Sequence, residues 1–276
     1  MNKVVIIGCG NVGMSYAYAL LNQRTAVSEL ALIDLNQDRI EGEVMDLNHC
    51  LAFAPSKINI KVGTYQDCKD ASIVCIAAGA NQNPGETRMD LITKNSKIFK
   101  NIIDQVMKNG FRGIFLVATN PLDVMTYLTW KYSGLPTSQI IGSGTSLDTS
   151  RLRYLVGERL NINPKNIHRF LDPETLENIR VQVKNAAYEI INRKGATYYG
   201  IGMCLVRITN AILGDENSII TVSSYDENND VYIGLPTIIN RKGAAGKIAV
   251  ELNEEETEKM QNCVNIIKEA IETLKI

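Results

Sequence analysis

The chain has 276 residues, 45% hydrophobic and 21% charged, with a formal net charge of −1. That is enough for one large or two modest domains around a sizeable core, and the near-neutral charge excludes a basic field that would draw it to nucleic acid or an anionic membrane. Six cysteines (Cys9, Cys50, Cys68, Cys75, Cys204, Cys263) form no Cys-x-x-Cys pair and, with only His49 and His168 beside them, read as reduced, buried thiols of a cytosolic protein rather than a disulfide frame or a metal site.

Val4–Ile7 is a short apolar run, read as a strand buried on both faces. Gly8–Gly13 is a turn and Met14–Gln23 a helix. No charge occurs from Val4 to Leu21, but the glycines break that stretch, so strand, turn and helix explain it better than a signal peptide or membrane span. Strands follow at Leu30–Ile33, Ile58–Val62, Ser72–Ala78, Ile114–Ala118 and Ile140–Ile141, with helices at Arg39–Asn48, Thr87–Asn109 and Val124–Tyr132 between them. This alternation predicts a parallel, doubly wound α/β sheet. After Gly144 the pattern changes. Helices are expected at Asp148–Leu160, Pro173–Lys194 and Thr197–Leu213, and strands at Ile219–Ser224, Val231–Ile239 and Lys247–Val250. A last helix opens with Asn253 and Glu256 in capping-box spacing, and its stripe Met260, Val264, Ile267, Ile271 and Leu274 is core or subunit interface. The expected organisation is a dinucleotide-binding (Rossmann) domain at residues 1–143 followed by an α+β substrate domain at 144–276.

Gly8, Gly10 and Gly13 spell Gly-x-Gly-x-x-Gly between a strand and a helix. Such glycines let backbone N–H groups approach a pyrophosphate, and the helix N-terminus favours that anion. Asp34 ends the next strand, where an acid binds the ribose hydroxyls and repels a 2′-phosphate. The expected cofactor is therefore NAD rather than NADP.

Three segments speak about the substrate: AGANQNPGETR at Ala78–Arg88, VATNPLD at Val117–Asp123 and GSGTSLDTSRLR at Gly142–Arg153. With KGATYYGIG at Lys194–Gly202, they resemble the L-lactate dehydrogenase family over nearly the whole chain, with malate dehydrogenase as the nearest relative. The resemblance implies a catalytic set of Arg88, Asp148 and Arg151. Arg151 would clamp the substrate carboxylate bidentately. Arg88, brought in by a closing loop, would polarise the keto oxygen. Asn120 would hydrogen-bond the substrate oxygen, and Thr197 and Ile201 would wall the pocket. Gln82 is the implied specificity residue: neutral, it suits the methyl group of lactate and pyruvate, where an Arg would select a second carboxylate. The cofactor set implied is Gly8, Gly10, Val12, Gly13, Asp34, Arg39, Tyr65, Gly79, Ala80, Asn101, Ala118, Thr119, Asn120 and Ser143. Arg153 and His168 fall on an allosteric position for fructose 1,6-bisphosphate, although His168 also reads as a plain surface or packing histidine. A homotetramer is implied, with no metal, nucleic-acid or membrane partner.

One departure stands out. The family's general acid/base is a histidine in a Gly-Glu-His-Gly-Asp segment soon after the position of His168. Here the chain passes from His168 through Arg169, Phe170 and Leu171 straight into the Asp172 helix. Asp148, which in the family orients that imidazole, is left without an evident partner. The expectation is a lactate dehydrogenase by descent with impaired proton transfer. A malate dehydrogenase-like enzyme and a non-catalytic NAD-binding or interaction protein stay open as alternatives.

Overall fold

The computed structural model describes residues 2–80, 87–167 and 171–274. Six parallel strands, β1 (Lys3–Ile7), β2 (Glu29–Ile33), β3 (Asn59–Val62), β4 (Ile73–Ile76), β5 (Ile114–Val117) and β6 (Ile140–Gly142), lie in the order β3-β2-β1-β4-β5-β6. β1, β4 and β5 are buried along their whole length, as apolar strands covered on both faces should be. Helices α1 (Asn11–Asn22), α2 (Gln37–Cys50), α3 (Arg88–Lys108) and α4 (Leu122–Ser133) complete the doubly wound half.

The second half carries α5 (Ser146–Leu160), α6 (Pro173–Lys194), α7 (Tyr199–Leu213) and α8 (Glu254–Glu272). Its strands β7 (Ser218–Asp226), β8 (Val231–Asn240) and β9 (Gly243–Lys247) extend the same sheet antiparallel, giving nine strands among the described residues. The junction is the pairing of Gly142 on β6 with Ser223 on β7. A Cβ on Gly142 would stand 2.4 Å from Thr126 Oγ1 and 2.8 Å from Ser223 Cβ, so only glycine permits this approach.

The last strand differs from expectation: it occupies Gly243–Lys247, not Lys247–Val250. Gly243, at φ +93°, turns the chain back immediately after β8. The α8 stripe proves to be core. Val264 and Ile267 are buried, and Met260, Ile271 and Leu274 pack on the same cluster as Phe99, Phe115 and Leu128. Asn253 and Glu256 form the capping box. Among the described residues, no helix is long and apolar enough to cross a membrane.

On the opposite face α1 packs on α7. A Cβ on Gly202 would stand 2.9 Å from the Ser15 backbone, and the fully buried Tyr16 hydroxyl meets Thr209 Oγ1 at 2.5 Å. Burial pushes the Tyr16 hydroxyl far above its ordinary pKa, so it stays a neutral hydrogen-bonding group. Tyr16→Phe should lower unfolding stability by about 1 kcal/mol, read from the urea midpoint, because it removes this bond across the two halves and strands Thr209.

Candidate functional site

The carboxyl ends of β1, β4, β5 and β6 fall on one sheet edge. The ladder runs past them: Gly8 N–H donates to Ile33 O, Ala77 N–H to Ile7 O, Ala118 N–H to Ile76 O and Ser143 N–H to Val117 O, each at 2.9 Å. Gly8, Ala118 and Ser143 are thereby brought to a common edge, the usual ligand edge of an open α/β sheet.

The glycine turn is built to exclude side chains where backbone must touch backbone. Gly8 has φ +95°, and a Cβ there would meet Ala78 N at 2.3 Å; one on Gly13 would meet Gly8 O at 2.1 Å. Gly10 is different, with no atom within 4 Å of where a Cβ would stand. It is the N-cap of α1 and supplies no side-chain cap, so the helix start opens on free space. That cradle fits a pyrophosphate. Asp34 reaches back to the turn: its Oδ2 accepts the Cys9 N–H at 2.7 Å, and its Oδ1 accepts the Asn36 N–H at 3.1 Å. Arg39 follows on α2, exposed, its guanidinium 3.4 Å from Glu43. Tyr65 opens a 3-10 turn at Tyr65–Cys68, which Thr64 and Asp67 cap reciprocally. Burial raises the Tyr65 hydroxyl above its ordinary pKa. Val12 is half-buried on α1 and Asn101 exposed on α3.

At the other end of the edge, Thr119 Oγ1 donates to Ala78 O at 2.8 Å, and a Cβ on Gly79 would meet Thr119 Cγ2 at 2.6 Å. One residue that sequence reasoning missed organises this region. Asn95, on α3 and 1% exposed, accepts the Ala80 N–H at 2.8 Å and donates to Asn120 O at 3.1 Å. It ties the loop after β4 to the loop after β5. The available signal was a polar residue on the core-facing line Ile92–Asn95–Phe99. The Asn120–Pro121 bond is cis. Beyond it opens a cavity of about 830 Å³, walled by Asn120, Leu122, Thr145 and the α8 residues Ile267 and Ala270.

α5 carries the remaining charged pair. Asp148, expected to stand alone, is ion-paired: Arg151 Nη1 lies 2.7 Å from its Oδ1. The reason is helical spacing, since residues three apart share a face. Arg151 is the more covered partner, with 16% of its side chain exposed against 46% for Asp148. α7 closes over this helix. Its Gly200 sits where a Cβ would meet Leu147 Cδ1 at 2.7 Å, and the half-buried Thr197 lies in the connection just before α7. Cys204, buried on α7, neighbours Ser146, Arg151 and Asp148; burial raises its thiol pKa, keeping it protonated. Arg153 is exposed on α5, the helix that carries Asp148 and Arg151. The Arg88 backbone opens α3, whereas Gln82, the Arg88 side chain and His168 lie outside the described residues. His49 is exposed near the end of α2, on the β2–β3 side, with β1 and β4 between it and the β5 edge that carries Asn120. Among the described residues, no group of His, Cys, Asp or Glu is placed to hold a metal ion.

Comparison with known proteins agrees with this geometry. Residues 2–142 match the lactate/malate dehydrogenase NAD-binding domain, and residues 168–275 match the lactate/malate dehydrogenase α/β C-terminal domain. An L-lactate dehydrogenase of Bacillus pumilus is 50% identical, covering 98% of this chain and 97% of its own, and one of a Geobacillus species is also 50% identical. A lactate dehydrogenase from a Medee basin deep-sea metagenome library superposes with a TM-score of 0.96 at 44% identity, covering 100% of this chain and 99% of that one. The minor L-lactate dehydrogenase of Enterococcus mundtii gives 0.96 in its ligands-bound form and 0.90 in its ligands-unbound form, at 39% and 38% identity; each covers 99% of this chain and 98% or 97% of the other. The alignment with the Bacillus pumilus enzyme runs over 307 positions, more than the 276 residues here, so that relative carries residues with no counterpart in this chain. The family models match both halves of the fold, and the chain belongs to the lactate/malate dehydrogenase family.

Proposed function

We infer that the chain is an NAD-dependent L-lactate dehydrogenase, interconverting L-lactate and pyruvate. The single observation that carries this reading is the sheet edge on which the glycine turn, with Asp34 bonded into it, lies in line with the Ala78–Ala80 and Thr119–Asn120 loops. When bound, the cofactor would supply the hydride chemistry, as NAD the acceptor for lactate and as NADH the donor for pyruvate. The chain's own residues do the rest. The open start of α1 at Gly10 receives the pyrophosphate. Asp34 offers its carboxylate to the ribose hydroxyls, with Arg39, Val12, Tyr65 and Asn101 along the same cofactor path. Gly79, Ala80, Ala118, Thr119 and Ser143 present backbone and small side chains at the nicotinamide end. Asn120 donates to the substrate oxygen, Arg88 polarises it, and Thr197 walls the pocket.

Arg151 binds the substrate carboxylate, and in this reading it must exchange Asp148 for it. Arg151→Gln should weaken pyruvate binding by about tenfold or more, since a charge-assisted bidentate pair is lost. Titrating pyruvate into the NADH-saturated chain measures this. NADH affinity should not change, and equal pyruvate affinity in wild type and variant would refute the assignment.

The reading divides the chain at 143/144 into cofactor and substrate domains, places the protein in the cytoplasm and assembles it as a homotetramer. It puts a fructose 1,6-bisphosphate site at Arg153 and His168. Gln82 favours pyruvate over oxaloacetate; comparing the two substrates tests the malate alternative. The missing histidine segment favours a second reading, a subunit that binds NAD without turnover.

A further inference from the structure

At the sheet edge opposite the glycine turn, the starts of β1, β4 and β5 border a cavity of about 510 Å³. Three cationic residues line it: Arg112, just before β5, and Arg241 and Lys242 in the β8–β9 turn. Ser72 and Ser138 add hydroxyls, and no carboxylate is among its lining residues. The acids nearest along the chain to the lining residues have other partners: Asp70 pairs with Lys3 at 2.7 Å, Asp215 accepts the Arg241 backbone N–H at 3.0 Å, and Glu216 pairs with Arg207 at 2.7 Å and accepts from Ser218 at 2.6 Å. Among the described residues, none of the three cations has an ion-pair partner.

Both walls are fixed by backbone. A Cβ on Gly243 would stand 2.0 Å from Ser138 O, so the turn bearing Arg241 and Lys242 is pressed against the segment bearing Ser138. On the other side Gln139 Nε2 donates to Arg112 O at 2.6 Å and to Gly113 O at 2.8 Å, holding the backbone under Arg112. Gly113 itself has Ala71 O and Ser72 O 2.5 Å from where a Cβ would be. The backbone frame fixes where the three cations are mounted, while their exposed side chains give up rotamer freedom when an anion arrives. The volume falls within the usual range for small-ligand pockets, about 300–1,000 Å³.

We propose that this cavity binds a small, multiply charged phosphoryl compound, held by Arg112, Arg241 and Lys242. Guanidinium forks match phosphate oxygens, and two arginines with a lysine suit a ligand of two or more negative charges. The site is separate from the dinucleotide edge and from Arg153.

The test titrates inorganic pyrophosphate into the full chain at low ionic strength, with excess NADH filling the glycine turn. Saturable binding is expected. It should weaken about tenfold or more in the double variant Arg241→Gln/Lys242→Gln and also in Arg112→Gln. All three cations are exposed, so the unfolding temperature without ligand should match wild type and serves as the folding control. Arg153→Gln should leave the binding unchanged. Absence of saturable binding, equal affinity in the cavity variants, or loss only in Arg153→Gln would overturn the proposal.

Discussion

Pyruvate reduction by this chain is expected to run about 10²- to 10⁴-fold slower than by a relative bearing the family's proton-transfer histidine, the typical contribution of a positioned acid/base. NADH binding is expected to stay intact. Hydride delivery to a keto carbon leaves negative charge on oxygen, and a proton must arrive there. His49 is on the wrong side of the sheet, and Asp148, the group that would orient an imidazole, is instead bonded to Arg151. In the proposed reading, charge stabilisation by Arg88 and hydrogen bonding by Asn120 would remain. Steady-state NADH oxidation beside the Bacillus pumilus enzyme, together with an NADH fluorescence titration, separates the two halves of the claim. Turnover equal to that of the relative would show that another group supplies the proton.

The second large effect concerns Asp34. Its carboxylate accepts the Cys9 N–H inside the glycine turn while being the implied partner of the ribose hydroxyls. Asp34→Ala removes both roles. Hydrogen bonds to a charged group contribute about 1.5–3 kcal/mol, so NADH affinity should fall about 10- to 100-fold. NADPH affinity should fall less, because the charge that repels a 2′-phosphate has gone. Paired titrations of NADH and NADPH read the ratio directly. An unchanged ratio would mean that Asp34 acts only as a structural acceptor for the turn.

The sequence was most legible where local chemistry and global fold coincide. Val4–Ile7, with its glycine turn, announced a buried strand and the helix that follows. The Asn253–Glu256 box and the α8 stripe announced the last helix. β9 was hidden because Gly243–Lys247 is glycine and alanine up to its final lysine, residues with weak strand preference; its pairing comes from the Gly243 turn, not from its side chains. Asn95 was hidden for another reason. A polar residue on a long helix reads as solvent-facing, and only the assembled loops show that its two hydrogen bonds go inward. The Asp148–Arg151 pair was visible as spacing, but the family role assigned to Asp148 drew attention to an imidazole instead.

The Gly142–Ser223 junction reaches beyond the site. Because β7–β9 continue the same sheet, the two halves share backbone hydrogen bonds as well as side-chain packing. Denaturation should therefore be a single cooperative event rather than two meltings in succession. A cofactor that grips only the glycine turn would then protect amide hydrogens as far away as β8 from exchange with solvent, and damage to β8 would loosen the grip on the cofactor. Binding and integrity of the whole chain become one thermodynamic quantity.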